Sequence, residues 1–305
     1  VLRRAGAAVA RGAAAGRPSF HLVEVEGAGL GMAAARDFAE GELVLCEEPL
    51  LAFELFGASP RQEVLAQFQA LAEERKTLVA DLSDCYALPG RPKSLHGIVE
   101  TNNIAVYSLG LEAAASAPAS ALGVVGNLLS RMNHSCAPSC EASWTSSRRA
   151  SGRIQVRTSS AVQEGAELTL FYEDLRAPRA ERQGALSGYG FRCACEVCRL
   201  QGEEAQRSDE RRARMGHVWR GLCSGGAEDA ARPAPEALQE LLRLYDEEGI
   251  LAHSMRFQAT RLALEGSTAP EEALQLHGAA LGHLAAWLGE EHPSVEWWRR
   301  RAPEQ

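Results

Sequence analysis

The sequence predicts an α+β fold in which a strand-rich half, residues 20–202, precedes an all-helical tail, residues 203–305. Three observations predict it. Short apolar runs separated by glycine turns fill the first half, as expected of paired strands. A C-x-C-x-x-C cluster, Cys193, Cys195 and Cys198, closes that half. From Ala237 onward the apolar residues recur at helical spacing.

Residues 20–56 read as strands, with turns at Gly27–Gly31 and Glu40–Gly41. From 61 to 82 the pattern turns helical, because Val64, Leu65, Phe68, Leu71, Leu78 and Leu82 share one face. "LPGRP" at 88–92 is a break, after which helix is expected from Leu95 and again from Ala121 to Met132. The helical insert is therefore drawn over about 58–130. "RIQVRTS" and "AELTLFY" are the next expected strands, joined through the turn-like "QEG". "QGEEAQRSDERRAR", from Gln201, reads as a charged linker or a solvated helix face. In the tail, Leu238, Leu241, Leu242 and Tyr245 form one stripe, and Leu274, Leu276, Leu281, Leu284 and Leu288 another. Packed helical hairpins would bury both.

A chain of 305 residues, 46% of them hydrophobic, can bury a sizeable core without disulfides. Its net charge of -8 and pI near 5.6 lack the basic footprint of a protein whose main partner is nucleic acid. Lys76 and Lys93 are the only lysines. No apolar run reaches the roughly 20 residues that span a bilayer. Eight cysteines, clustered rather than evenly spread, point to metal and to a reduced, intracellular chain of the cytoplasm or nucleus. Residues 1–19 hold Arg3, Arg4, Arg11 and Arg17 and no acid, which resembles an organelle transit peptide or an Ala/Arg-rich disordered leader.

Three thiolates spaced as in Cys193, Cys195 and Cys198 can face one tetrahedral zinc, and a fourth ligand is then needed. Cys136 and Cys140, in "RMNHSCAPSC", are the candidates, with His217 and Cys223 weaker. A thiol enzyme built on Cys136 and His134 is set aside, because the pair is expected to point to opposite faces of a strand. "GAGLG" at 27–31 is not a dinucleotide loop, since Met32 stands where the third glycine belongs. Its glycines suit either a ligand lying against the backbone or an ordinary strand turn. Tyr172 ends a strand, and Tyr189 and Phe191 precede the cysteine cluster. Such aromatics either fill core or line a narrow channel.

In this order, "GAGLGMAAARDFAEGELVLCEEPL", "ETNNIAVYSL", "LLSRMNHSCAPSC", "AVQEGAELTLFYED" and "LSGYGFRCACEVC" resemble a SET-domain methyltransferase, the SET-and-MYND (SMYD-like) group in particular. The likeness covers roughly residues 20–200, and "GEEHPSV" at 289–295 extends it more weakly into the tail. The family's MYND zinc finger is missing, because "PLLAFELFGASPRQEV" runs straight into a helix with no cysteine or histidine cluster. The resemblance implies a SET domain of small β-sheets with a pseudoknot over 20–186, a zinc-binding post-SET segment over 187–202 and a TPR-like helical domain over 203–305.

It also implies roles. S-adenosylmethionine would be held by Asn133 and His134, the backbone at Ala28 and Gly29, Asn103, Ser130, Met132 and Tyr172, with Phe191 against the adenine. Cys136 would complete a structural zinc site with Cys193, Cys195 and Cys198, leaving Cys140 a non-ligand. Tyr172 and Tyr189 would be the catalytic and channel residues. The implied function is a protein-lysine N-methyltransferase acting on a protein substrate such as a histone tail. The alternative is a silent SET fold working as a scaffold. A protein partner for the tail is expected; nucleic acid and membrane are not, and the chain is expected to be a monomer.

Overall fold

The computed structural model describes residues 3–4, 18–108, 120–145, 152–224 and 235–302, so most of the expected leader lies outside the described residues. Three small antiparallel sheets build the first half. β1 (Arg3–Arg4), β2 (Phe20–Val25) and β3 (Gly29–Ala34) form the first. Its β2–β3 turn uses Gly27 and Gly29 at φ 77° and 74°, a region glycine enters without steric cost. β4 (Leu43–Glu47), β9 (Ile154–Thr158) and β8 (Cys140–Trp144) pair in the order β4-β9-β8. β5 (Leu51–Glu54), β7 (Ser120–Val125) and β6 (Ile104–Ser108) pair in the order β5-β7-β6. Met32, Leu122, Val124, Trp144, Ile154 and Val156 meet in one core between the sheets.

Between β5 and β6 lie α1 (Pro60–Ala70), α2 (Glu73–Asp81) and α3 (Leu95–Asn102). Pro60 opens α1, where a missing N–H removes no helical bond. Ser94 caps α3, its hydroxyl accepting from the Gly97 amide at 3.0 Å. Val64, Val79, Leu82, Ile98 and Val99 bury against Leu51 and Phe53 of β5. Leu65 and Leu78 stay exposed, because the break at Leu71–Ala72 interrupts the helical phase that would have aligned them.

Two expectations fail here. The helical part of the insert ends at Asn102, and the helix expected from Ala121 to Met132 is strand β7 followed by a 3-10 turn at Leu129–Arg131. β7 is the middle strand of its sheet, and a side chain at Gly123 would come within 2.5 Å of the Phe53 ring. An apolar run buried on both faces carries no periodicity to tell strand from helix. "AELTLFY" is likewise no continuous strand. It makes single bridges, Glu167 to Ala33 and Leu170 to His134, because it changes partner midway.

α4 (Arg179–Ser187) and α5 (Glu196–Arg199) bracket the cysteine-rich segment. The tail is α6 (Gly202–Ser224), α7 (Pro235–Glu247), α8 (His253–Gly266), α9 (Pro270–Leu288) and α10 (Pro293–Arg299), each packed on the next. The charged stretch after Gln201 is thus the start of a packed helix, with Met215 and Val218 buried beside Leu241 and Tyr245. Leu175, from the first half, sits in that same cluster. At the other end of the tail, the Trp287 indole donates to the Ala142 carbonyl at 3.1 Å, joining α9 to β8. No helix among the described residues is long and apolar enough to cross a membrane.

Candidate active site and cysteine centre

The site begins at the 3-10 turn. The Glu47 carboxylate accepts from the Leu129 amide at 2.7 Å and from the Leu128 amide, fixing the turn against β4. Burial pushes the Glu47 carboxyl up, and those amides pull it back. From the turn, residues 132–135 run beside 167–170. The Leu168 amide donates to the Met32 carbonyl at 2.8 Å, the Leu170 amide to Asn133 at 2.9 Å and the Ser135 amide to Leu170 at 2.8 Å. The segment ending in Tyr172 is therefore clamped between β3 and residues 132–135.

Tyr172 is fixed at both ends. Its hydroxyl donates to the Met132 carbonyl at 2.6 Å and its amide donates to His134 Nδ1 at 3.0 Å. Burial raises its pKa, so the hydroxyl stays protonated. The Tyr189 ring lies 5.6 Å away, and Phe191 is 6.5 Å from Tyr189 and 6.3 Å from His134. Asn133 donates to Glu167 Oε1 at 2.9 Å, a pair that sequence reading missed. A Cβ on Gly31 would stand 2.8 Å from Asn133 Nδ2 and 2.9 Å from Glu167 Oε1, so the pair needs that glycine.

His134 overturns one expectation. Its Nε2 lies 3.3 Å from Cys136 Sγ, because residues two apart on an extended segment share a face. Burial lowers its pKa to about 4, so the ring is neutral. With Nδ1 accepting from an amide, the proton belongs on Nε2, donating to the sulfur. Both ring nitrogens are thus engaged by the protein, leaving only the backbone of His134 for a ligand. The pair is no nucleophilic dyad, for Cys136 belongs to a sulfur cluster.

Cys136, Cys193, Cys195 and Cys198 bring four sulfurs within 4.8 Å of one another. Cys136 Sγ is 3.9 Å from Cys193 Sγ and 3.6 Å from Cys198 Sγ. Ligands at ~2.3 Å from a tetrahedral zinc would sit roughly 3.8 Å apart, so the donor set fits such an ion. Bonding among the sulfurs pulls Cys195 down and pushes Cys136 up. Cys140 is buried in the sheet core, His217 is exposed on α6, and the Cys223 side chain lies outside the described residues.

A cleft of about 280 Å³ opens beside Tyr172. Asn103, Ser130, Tyr172, Glu173 and Tyr189 line it, together with Met255 and Trp287 of the tail. Of the residues expected at a cofactor, Asn103, Ser130 and Tyr172 face the cleft. The Met132 side chain is fully buried, so that residue offers its carbonyl. Ala28 and Gly29 are exposed at the β2–β3 turn, outside the cleft's lining. Nothing lies within 4 Å of a Cβ on Gly29, so the backbone there is open to a ligand.

Residues 29–173 match the SET domain family. This stretch is similar to a SET domain. It contains the clamp, Tyr172 and Cys136, while Tyr189, Phe191 and the other three cysteines follow it. The chain is 30% identical over 96 residues to a histone-lysine N-methyltransferase, set5, of Schizosaccharomyces pombe, covering 31% of this chain and 29% of that protein. It is 37% identical over 71 residues to the histone-lysine N-methyltransferase ATXR2 of Arabidopsis thaliana, covering 23% of this chain and 15% of that protein. The chain thus spans less than a third of either relative. Among solved structures, the SET domain of LSMT bound to MeLysine and AdoHcy aligns over 93% of this chain and 87% of that one, at 14% identity and a TM-score of 0.39.

Proposed function

We propose that this chain is an S-adenosylmethionine-dependent protein-lysine N-methyltransferase of the SMYD-like group, lacking the MYND finger and holding one structural zinc on Cys136, Cys193, Cys195 and Cys198. The observation that carries the reading is the double anchorage of Tyr172, hydroxyl to the Met132 carbonyl and amide to His134, at the wall of a cleft shared with Tyr189. The SET domain and the two histone-lysine N-methyltransferase relatives support it.

S-adenosylmethionine, when bound, supplies an electrophilic methyl group on a sulfonium. Asn103, Ser130, Tyr172, the Met132 carbonyl and the backbone of 133–134 would hold it, with the open turn at Ala28 and Gly29 and the Phe191 ring at its edge. The residues of the chain then have two tasks. The first is alignment: a protonated Tyr172 hydroxyl, already donating to Met132, keeps its oxygen lone pairs to accept from a lysine N–H. Positioning of this kind can remove several kcal/mol, up to roughly 7–11, from a barrier. The second is deprotonation. A free lysine amine has a pKa of about 10.4; it would give its proton to solvent on entering the cleft, where loss of water disfavours the charged form. No side chain of the clamp is free to act as a nucleophile, which agrees with direct transfer.

The test is to incubate the chain with methyl-labelled S-adenosylmethionine and a cell lysate, then locate the label. Label on lysine Nζ atoms is expected, with a cofactor-dependent rise in melting temperature. A chain that binds no cofactor and labels nothing would be a silent scaffold.

A further inference from the structure

We propose that Arg182 is the built-in counter-cation of the four-cysteine metal centre, and that it slows loss of the metal from that centre. Arg182 is only 1% exposed, and its Nε donates to Cys136 Sγ at 3.1 Å. Its Nη2 lies 4.0 Å from Cys198 Sγ, and its Nη1 donates to the Ala177 carbonyl. Among the described residues no carboxylate pairs with it; sulfur supplies the only anion it touches. A guanidinium has no neutral form to retreat to, so burying it without a counter-charge is strongly unfavourable.

The neighbourhood sharpens the point. Arg212 on α6 is 0% exposed, shares the electrostatic environment of Arg182 and Cys136, and donates to Glu248 Oε2 at 2.8 Å and to the Leu175 carbonyl. Glu248 in turn accepts from Arg211 Nε and Ser208, each at 2.7 Å. Glu248 therefore answers Arg212, while Arg182 has only the sulfurs. Four thiolates on one divalent ion would carry two net negative charges, of which Arg182 offsets one.

The proposal rests on the zinc reading of the cysteines and not on methyl transfer. Zinc content of the purified chain tests that reading first: about one ion per chain supports it, and none overturns both. On zinc-loaded protein, release to a chromophoric chelator is then compared for wild type, Arg182→Gln and Arg182→Lys. The Gln variant should release zinc at least tenfold faster, the scale of a lost outer-shell partner, and the Lys variant should stay within about threefold of wild type. Wild-type release from Arg182→Gln, or an equal loss in both variants, would show that the charge is not what matters. Where the Gln variant does not fold, hydrogen exchange of the wild-type protein decides. Chelation should deprotect residues 175–187, and unchanged protection there overturns the proposal.

Discussion

Where α8 and α9 meet β8, the strand-rich half offers a buried carboxylate; where α6 meets α4, the chain offers two buried guanidiniums. At the first seam Glu141, 3% exposed, accepts from the Ser254 amide at 3.2 Å and from the His253 amide and Ser254 hydroxyl, so it sits on the N-terminus of α8. The helix dipole and those donors provide the positive end. At the second seam the positive end is Arg182 and Arg212, and the negative end is partly sulfur. The same tail is thus held by one contact made wholly of protein and another that the proposed zinc would complete. The first should answer to pH, the second to chelators and oxidants.

The largest expected effect lies at the metal seam. Cys193→Ser removes one of four ligands, and metal binding at such sites contributes on the order of 10 kcal/mol to folding. Elemental analysis should find the variant without zinc and calorimetry should find the unfolding transition lowered or split; full zinc retention would rule out this ligand set. At the carboxylate seam the effect is smaller. Glu141→Ala strands buried donors at about 1–3 kcal/mol each. A fall in melting temperature of several degrees should appear by calorimetry, with zinc content unchanged. Loss of zinc in that variant would mean that the two seams are not independent.

Burial raises the Glu141 pKa to about 7, above its ordinary 4.5. A carboxyl raised by folding contributes most stability below pH 4.5 and loses that contribution as pH climbs to about 7. His253 and His283, pulled down to about 4 by burial, act oppositely, losing stability as pH falls from 6.5. Glu141→Gln separates the two. Melting temperatures across this range should show wild type gaining on the Gln variant toward low pH, and a constant offset would mean that Glu141 does not titrate there. The smallest effect is on the solvent face of α6. Arg207 and Glu203, 3.0 Å apart but both well exposed, should tolerate Arg207→Ala with no resolvable change in melting temperature.

How legible these regions were in the sequence follows their range. The cysteine triad is local, and its spacing predicted ligands directly. Tyr172, Tyr189, Asn103 and Ser130 came through motif order, and the cleft brings those four together. Arg182 left no sequence signal, because its sulfur partner is 46 positions away and nothing local separates a buried arginine from a solvated one. Glu141 sits in "CEASW" as the polar member of an alternating strand, and only the arrival of α8 on that face buries it. At His134 one ring nitrogen meets Cys136, two positions away, and the other accepts from the Tyr172 amide, 38 positions away, so only the first contact was legible locally.

The most direct test of the central claim is transfer by Tyr172→Phe. The substitution removes one hydroxyl, the donor to Met132, and keeps the ring beside Tyr189. S-adenosylmethionine should bind within a few-fold of wild type by calorimetric titration, while transfer of label to lysine falls by roughly a hundredfold, the scale of a lost transition-state partner. Undiminished transfer, or loss of cofactor binding with no change in turnover, would contradict the role of Tyr172 and the mechanism built on it.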